Sequence, residues 1–324
     1  MQHLSVQETI LVFLIFYIPA LLAFVFGSII GSLSNVIIYR MVYYRSIWSP
    51  SSHCTSCGIE IPWYLNVPII SYLVLRGRCR FCGARFTSRY FWVELITGLL
   101  YAFAILWIYT LPAPEGFGLS FRTVMTFQFK EMPPLGGFYL EPLATVLMLK
   151  SFIFISFLII LTMIDLEHQL LPDRITIPGI ILGLLLCFAA PLNRPALASF
   201  GTHGWPDALL QSVLGLIVGG GILWLIAAIK PGGMGMGDVK LNAMIGAFIG
   251  IKALAPAMFL GFVIGGLTSV LLIIFKKAGR KTLIPFGPFL ALGGLIGFFW
   301  GHHLWVWYIA HSIGSSAGKF PGEP

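Results

Sequence analysis

The chain has 324 residues, of which 58% are hydrophobic and only 10% charged, and its mean hydropathy is +0.91. This composition excludes an ordinary soluble domain, because so much apolar surface belongs in a lipid bilayer. The formal net charge of +8 does not require a nucleic-acid partner. No recognition motif accompanies the charge, and anionic headgroups account for Arg and Lys beside a membrane.

Apolar stretches long enough to span a bilayer, which takes about 20 residues, follow one another along the chain. They cover about 10–39, 95–114, 146–164, 175–193, 208–229, 253–275 and 283–309. A shorter piece, about 239–251, could pair with the stretch after it through a turn at Lys252. The first stretch lacks a basic n-region and is too long for a cleavable signal peptide. The pattern predicts an all-α polytopic membrane protein with about eight transmembrane helices.

Basic residues predict the orientation of these helices. The loop at about 40–92 carries seven Arg residues, and the loop at 276–281 carries four Lys and Arg residues. Eight spans put both loops on one side together with Arg174, Lys230 and Lys240, so that side holds 14 of the 20 basic residues. By the positive-inside rule it is the cytoplasmic side, and both termini face out.

Three parts are predicted along the chain. Residues 1–39 form the first transmembrane helix, residues 40–92 a polar cytoplasmic module, and residues 93–324 the remaining spans. A Pro- and Gly-rich outer loop at about 112–145 interrupts the third part, and the tail from His311 has the composition of a disordered segment. No internal repeat indicates a transporter built from two related halves.

The cytoplasmic module contains two C-x-x-C pairs, "CTSC" at 54–57 and "CRFC" at 79–82, separated by 21 residues. Four thiolates in this arrangement are typical of a tetrahedral zinc site with the ligands Cys54, Cys57, Cys79 and Cys82. Gly58 and Gly83 follow the pairs and suit the tight turn of a zinc knuckle. The site would be structural, since four Cys ligands leave no open position, and it would fold a loop with little apolar core. A redox pair and unliganded thiols are the alternatives, whereas two disulfides are disfavoured on the cytoplasmic side.

Two acids lie at the predicted cytoplasmic ends of spans: Asp165 in "MIDLEHQLLPD" (163–173) and Asp238 in "GGMGMGDVK" (232–240). An ionisable residue at the edge of the hydrocarbon is a functional candidate by default. The alternative is that each acid caps a helix or pairs with a neighbouring base, Asp238 with Lys240 and Asp173 with Arg174.

As a pair, the two acids predict hydrolytic chemistry. Like charges about 3 Å apart cannot both ionise, so Asp165 and Asp238 could share one proton. One acid then activates a water, while the protonated one polarises the scissile carbonyl and later protonates the amine. Gly235 and Gly237 would let a substrate backbone approach and would allow unusual dihedrals that aim Asp238. The stretch matches no phosphate-binding glycine pattern.

These residues resemble a known family. "GMGD" after a hydrophobic span, together with "IDLEHQLLPD", is similar to the type IV prepilin peptidases, which are polytopic bacterial aspartic proteases of the G-x-G-D class. The blocks at 27–40, 53–95 and 285–294 resemble that family's N-terminal, cysteine and C-terminal blocks. The resemblance implies that Asp165 and Asp238 are the catalytic pair. Asp173, with Lys240, would have a structural or supporting role.

The resemblance also implies a bifunctional enzyme of the bacterial inner membrane with its active site facing the cytoplasm. Such an enzyme cuts the short basic leader of type IV prepilins and of type II secretion pseudopilins after a glycine. It then N-methylates the new N-terminus from S-adenosylmethionine, although no fingerprint in residues 40–92 marks the residues that bind this donor. We expect acidic residues such as Glu60, Glu94, Glu167 or Asp173 to receive the cationic leader.

Three other functions are compatible with parts of the pattern. A presenilin-type intramembrane protease would keep the acid pair but predicts Tyr before the first Asp, where this chain has Ile164. A proton- or ion-coupled transporter could use the same aspartates as relay sites, but it predicts acids near mid-span. A zinc-dependent membrane scaffold would need no catalysis at all.

Overall fold

The computed structural model describes residues 6–42, 52–109, 142–189, 205–230, 234–275 and 284–312. Within these ranges the regular elements are helices, and there is no strand, only two isolated β-bridges, His53–Glu60 and Arg78–Arg85. Apart from their ends, the outer loop at about 112–145 and the tail from His311 lie outside the described residues, as does the basic loop at 276–281. The prediction of an all-helical protein is confirmed.

The helices begin and end within several residues of the predicted spans. They are α1 Val6–Val42, α2 Ile70–Val74, α3 Arg89–Tyr109, α4 Pro142–His168, α5 Asp173–Ala189, α6 Trp205–Ile229, α7 Met236–Ile274 and α8 Gly287–Ser312. A short 3₁₀ turn, Trp63–Leu65, precedes α2. The long helices have no continuous polar face, as expected of helices that contact lipid and one another.

Among the described helices, six are long and apolar enough to cross a membrane: α1, α3, α4, α6, α7 and α8. With 17 residues, α5 falls just short. The 39 residues of α7 include a break at Gly250, whose φ of 76° and ψ of 166° are not helical. At 1.5 Å per residue α7 would be about 58 Å long, roughly twice the hydrocarbon thickness. The total of eight spans stays a prediction.

The chain forms two compact units, residues 1–164 and 165–324, and the boundary falls in the last turns of α4. In the first unit α1 packs closely on α3 through small residues. A Cβ added at Gly27 would lie 2.8 Å from the ring of Tyr101, and one at Gly31 would lie 2.8 Å from the Cα of Glu94. Glycine therefore permits the approach of the two backbones. The predicted three-part division of the chain stays a prediction.

The first half of α7 is the centre of the second unit, because every residue from Leu241 to Phe248 is buried. Gly215 on α6 lies against Gly246, where neither residue has room for a Cβ. The side-chain amide of Asn242 donates to the carbonyl oxygen of Gly219 over 2.8 Å, which satisfies a buried polar group. Close backbone packing thus fixes α6 against α7.

The break in α7 produces a helical hairpin. On α8, Gly301 lies against Ala253, and Phe289 lies against Gly265, so the second half of α7 runs antiparallel to α8. The first half of α7 runs parallel to α8. Both segments begin near Asp165, α7 with Asp238 and α8 with Gly287, and Ile245 lies against Gly294 further along. The predicted pairing of 239–251 with the following stretch agrees with this turn.

Candidate active site and metal centre

Asp165 lies in the last turn of α4 and is 5% exposed. Its Oδ2 accepts a hydrogen bond from the backbone N–H of Gly287 over 2.9 Å. Gly287 is the first residue of α8, so the carboxyl group faces a helix N-terminus. The N–H of Gly287 and the helix dipole at this end stabilise negative charge. Asp165 therefore sits where an ionised carboxylate has support inside an apolar bundle.

Gly287 is a site residue that the sequence analysis missed. A Cβ at this position would lie 2.6 Å from Oδ2 of Asp165, so a side chain would collide with the carboxyl group. The signal was in the block "PFGPFLALGG" at 285–294, where Gly287 stands between Phe286 and Pro288. Nothing local in that block reveals that it meets Asp165.

Asp238 lies in the first turn of α7 and is half-buried. Its backbone N–H donates to the carbonyl oxygen of Gly235 over 3.1 Å, so Gly235 caps the helix. The carboxyl groups of Asp165 and Asp238 lie near enough to act on each other electrostatically. Both acids belong to the second unit, within electrostatic range of each other. Their action as a catalytic pair stays a prediction.

The glycines before Asp238 do not adopt the unusual dihedrals that were predicted, while the approach of a substrate backbone at these positions stays a prediction. Gly235 has φ −76° and ψ 143°, an extended conformation that any residue adopts, so it needs no unusual dihedrals. Gly237 is helical, and a Cβ there would lie 2.8 Å from the Cβ of Leu171. Glycine at 237 therefore lets the connection between α4 and α5 pack on the start of α7.

Lys240 pairs with Asp173 and not with Asp238. Its Nζ donates to both carboxylate oxygens of Asp173, over 2.6 and 2.8 Å. Residues two apart on a helix do not face each other, which is why Lys240 turns away from Asp238. The ion pair joins the start of α5 to the start of α7, the same two parts of the chain that Leu171 and Gly237 bring together.

The four predicted metal ligands form one cluster. Their Sγ atoms all lie within 4.8 Å of one another, and those of Cys54 and Cys82 are 3.8 Å apart. A tetrahedral zinc site with bonds of about 2.3 Å places its sulfurs about 3.8 Å apart. All four cysteines are free of disulfides, which agrees with a sulfur separation far beyond that of a covalent bond. The cluster is fit to bind a metal ion.

Local hydrogen bonds build the two knuckles in the same way. The N–H groups of Gly58 and Gly83 donate to the carbonyl oxygens of Cys54 and Cys79 over 2.8 and 3.0 Å. Both glycines have φ of +72°, a left-handed conformation that side chains disfavour. The predicted role of these glycines in the turn is therefore confirmed.

Backbone hydrogen bonds also prepare one ligand for metal binding. Those from Cys57 and then Ser56 lower the pKa of the Cys54 thiol to about 6, against the opposing effect of burial. Since the thiolate is the form that binds metal, the knuckle favours the ligand state of Cys54.

Comparison with known proteins connects both sites to one family. Residues 25–108 match the model of the bacterial peptidase A24 N-terminal domain, and residues 152–270 match that of the type IV leader peptidase family. Relatives named prepilin leader peptidase/N-methyltransferase include one from Neisseria gonorrhoeae, 32% identical over 90% of this chain and 95% of the relative. Those from Pseudomonas putida and Bacillus subtilis are 31% and 30% identical, covering 88% and 90% of this chain and 92% and 98% of each relative.

The chain belongs to the type IV leader peptidase family. The family membership that the motifs predicted is confirmed. The chain is therefore a multi-pass membrane enzyme of the prepilin peptidase and N-methyltransferase class. No solved structure matches the chain. The cysteine cluster falls in the N-terminal-domain match, both acids fall in the leader-peptidase match, and Gly287 lies beyond it.

Three of the four acids expected to receive a cationic leader contact other residues in the structure. Glu94 is 7% exposed, and its Oε2 accepts the N–H of Ile69 over 2.8 Å. Asp173 binds Lys240. Glu60 and Glu167 are exposed, and Oε2 of Glu167 lies 3.8 Å from Nε2 of His168. The expectation that these acids receive the leader stays a prediction.

Proposed function

We propose that this chain cleaves the basic leader of prepilins and pseudopilins after a glycine, by means of Asp165 and Asp238, and methylates the new N-terminus from S-adenosylmethionine. Membership in the leader peptidase family supports the substrate class. The single observation that supports the mechanism is the electrostatic interaction between the carboxyl groups of Asp165 on α4 and Asp238 on α7. The site would act at the cytoplasmic face of the bacterial inner membrane.

The contacts of the two acids support a division of roles. Asp165, facing the N-terminus of α8, is the ionised member and acts as general base on a water molecule. Asp165 takes a proton from the water, whose oxygen attacks the scissile carbonyl carbon, while protonated Asp238 donates a hydrogen bond to the carbonyl oxygen. As the carbon–nitrogen bond breaks, Asp238 gives its proton to the leaving amine. The proton held by Asp165 then returns the pair to its starting state by passing to Asp238. This is the chemistry of a two-aspartate protease site.

Zinc in the four-cysteine cluster would be structural, because four thiolate ligands leave no position for a substrate. Cys54, Cys57, Cys79 and Cys82 would hold it, and its contribution is to the fold of the module. No sequence motif marks the residues that bind the methyl donor, so none is assigned.

Substitution of each acid tests the proposal. In the full chain reconstituted in vesicles, Asp165→Asn and Asp238→Asn should each lower kcat for a prepilin peptide by about 10²–10⁴-fold, as expected when a general acid or base is lost. Asp207→Asn is the matched control, since Asp207 is equally buried on α6 but lies at the end of that helix far from Asp238. Full cleavage by either of the first two variants would refute the acid-pair mechanism.

Methyl transfer provides a second readout. A peptide supplied already trimmed should still be methylated by Asp238→Asn, because the two reactions are proposed to use separate residues. This result would also show that the variant is folded. Loss of both activities in a protein that keeps its metal content and melting temperature would argue against separate sites.

A further inference from the structure

The short helix α2 in the cysteine module exposes an apolar face. Ile70, Leu73 and Val74 are 60%, 59% and 73% exposed, and their spacing puts them on one side of the helix. In the preceding turn Trp63 and Tyr64 are 83% and 58% exposed. Five large apolar side chains exposed within 12 consecutive residues of a small folded module indicate a surface that binds something. We call these five side chains the α2 patch.

The contacts of α2 fix its depth relative to a membrane helix. The N–H of Ile69, directly before α2, donates to Glu94, which lies five residues inside α3 from Arg89. Five residues of helix correspond to about 7.5 Å. The ring of Tyr72 also packs on that of Phe91, with centroids 5.5 Å apart. Helix α2 therefore lies beside the first turns of α3, where α3 enters the bilayer.

The position of α2 is held against local strain. Ile69 has φ 63° and ψ −54°, a left-handed conformation that β-branched residues rarely adopt. Such a conformation persists only where surrounding contacts hold it, and the bond to buried Glu94 is one of them. The contacts that maintain the strained conformation of Ile69 therefore hold α2 at a fixed place beside α3.

The charge beside the α2 patch indicates what covers it. Across residues 52–88 the acids consist of Glu60 alone, while four exposed Arg residues follow α2 closely: Arg76, Arg78, Arg80 and Arg85. An exposed apolar helix face, preceded in the sequence by exposed aromatic side chains and followed by exposed Arg residues, matches an anionic lipid surface, which offers acyl chains next to phosphates.

We infer that the α2 patch docks on the anionic lipid that borders α3, so that the cysteine module lies on the membrane. Ile70, Leu73 and Val74 enter the boundary between headgroups and acyl chains. Trp63 and Tyr64 occupy the interfacial layer that their amphipathic rings favour. The Arg side chains bind lipid phosphates, and both ends of the module stay near the membrane because α1 and α3 span it.

A depth measurement on the full chain tests this inference. A fluorescent amino acid replaces Val74, and the protein is reconstituted in phosphatidylcholine vesicles with or without phosphatidylglycerol. Quenching by brominated lipids reports contact with the bilayer, and quenching by iodide reports contact with water. The same label at Leu21, a lipid-facing position of α1, and at Thr55, an exposed position in the first knuckle, gives the two reference values.

The label at 74 should be quenched by brominated lipid as at 21 and should lose iodide quenching relative to 55. Arg76→Gln with Arg78→Gln should weaken this protection in phosphatidylglycerol vesicles, while the Lys counterparts should preserve it. Iodide quenching at 74 equal to that at 55, without quenching by brominated lipid, would overturn the inference. So would protection that appears only with added prepilin peptide or only at high protein density, since these outcomes assign the patch to substrate or to a second copy.

Discussion

The cysteine cluster and the acid pair are both sites of side chains brought together, but they are assembled in opposite ways. All four cysteines lie between residues 54 and 82, and hydrogen bonds inside each knuckle set their geometry. Asp165, Asp238 and Gly287 come from three helices, and the bond between Asp165 and Gly287 spans 122 positions of sequence. The first site depends on neighbours in the sequence, whereas the second depends on how helices pack.

The two regions also differ in what holds them together. Among residues 52–88 only Cys54, Gly77 and Cys79 are buried, so this part of the chain has almost no apolar core of its own. In the second unit, eight consecutive residues of α7, Leu241 to Phe248, are buried among neighbouring helices. A metal ion can supply the stability that the module lacks, while the acid pair relies on close helix packing.

Removal of the metal should have the largest effect on folding, and this effect should be confined to the cysteine module. Metal binding to structural cysteine sites contributes about 10–16 kcal/mol, more than a module without a core can replace. Chelation, or Cys54→Ser, should therefore abolish amide protection across 52–88 in hydrogen exchange and leave protection in α7. Cys187→Ser, a buried cysteine outside the cluster, is the control. Protected amides in the metal-free module would show that the knuckles fold without metal.

Much of the cysteine site could be predicted because its rules are local. The C-x-x-C spacing predicted the four cysteines that form the cluster, and the requirement for a tight turn explained Gly58 and Gly83, which have positive φ. The helices could be predicted for a similar reason, since hydrophobic length alone marks a membrane span. Even the turn near Gly250 followed from a short apolar piece next to Lys252.

The acid pair could be predicted only in part. Its two carboxylates were recognised because charge is rare in this chain, but their partners were not. Gly287 has no property in the sequence that indicates contact with Asp165. Adjacency suggested Lys240 as the partner of Asp238, yet helix geometry turns Lys240 toward Asp173. The role of Gly237 depends on Leu171, a contact that only the packing of α5 and α7 creates.

Gly287→Ala should produce the next largest effect, on catalysis. The added Cβ would lie 2.6 Å from Oδ2 of Asp165 and must displace the carboxyl group. A displacement of about 1 Å can reduce turnover about 10²-fold, so kcat should fall toward that extent with little change in KM. Gly266→Ala is the control, because a Cβ there meets open space. Normal turnover in Gly287→Ala would mean that Asp165 does not need this contact.

Gly237→Ala should lower the stability of the fold more than it lowers the rate of cleavage. The new Cβ would lie 2.8 Å from the Cβ of Leu171, and overpacking of this kind costs about 1–3 kcal/mol. Thermal unfolding should shift downward accordingly, and hydrogen exchange at the start of α7 should increase. Gly221→Ala on α6, where nothing lies within 4 Å, should not lower the melting temperature. An unchanged melting temperature for Gly237→Ala would indicate that the connection containing Leu171 shifts to accommodate the added Cβ at little energetic cost.

The ion pair between Asp173 and Lys240 should have the smallest effect. The side chains are 54% and 36% exposed, and exposed pairs contribute about 0.2–1 kcal/mol. A double-mutant cycle with Asp173→Asn and Lys240→Gln should give a coupling energy in this range that shrinks as salt is added. A coupling well above it would mean that lipid headgroups shield the pair from water. Because Gly237 and Leu171 join the same two segments, a small coupling would identify their packing as the main restraint on the start of α7, and hence on Asp238.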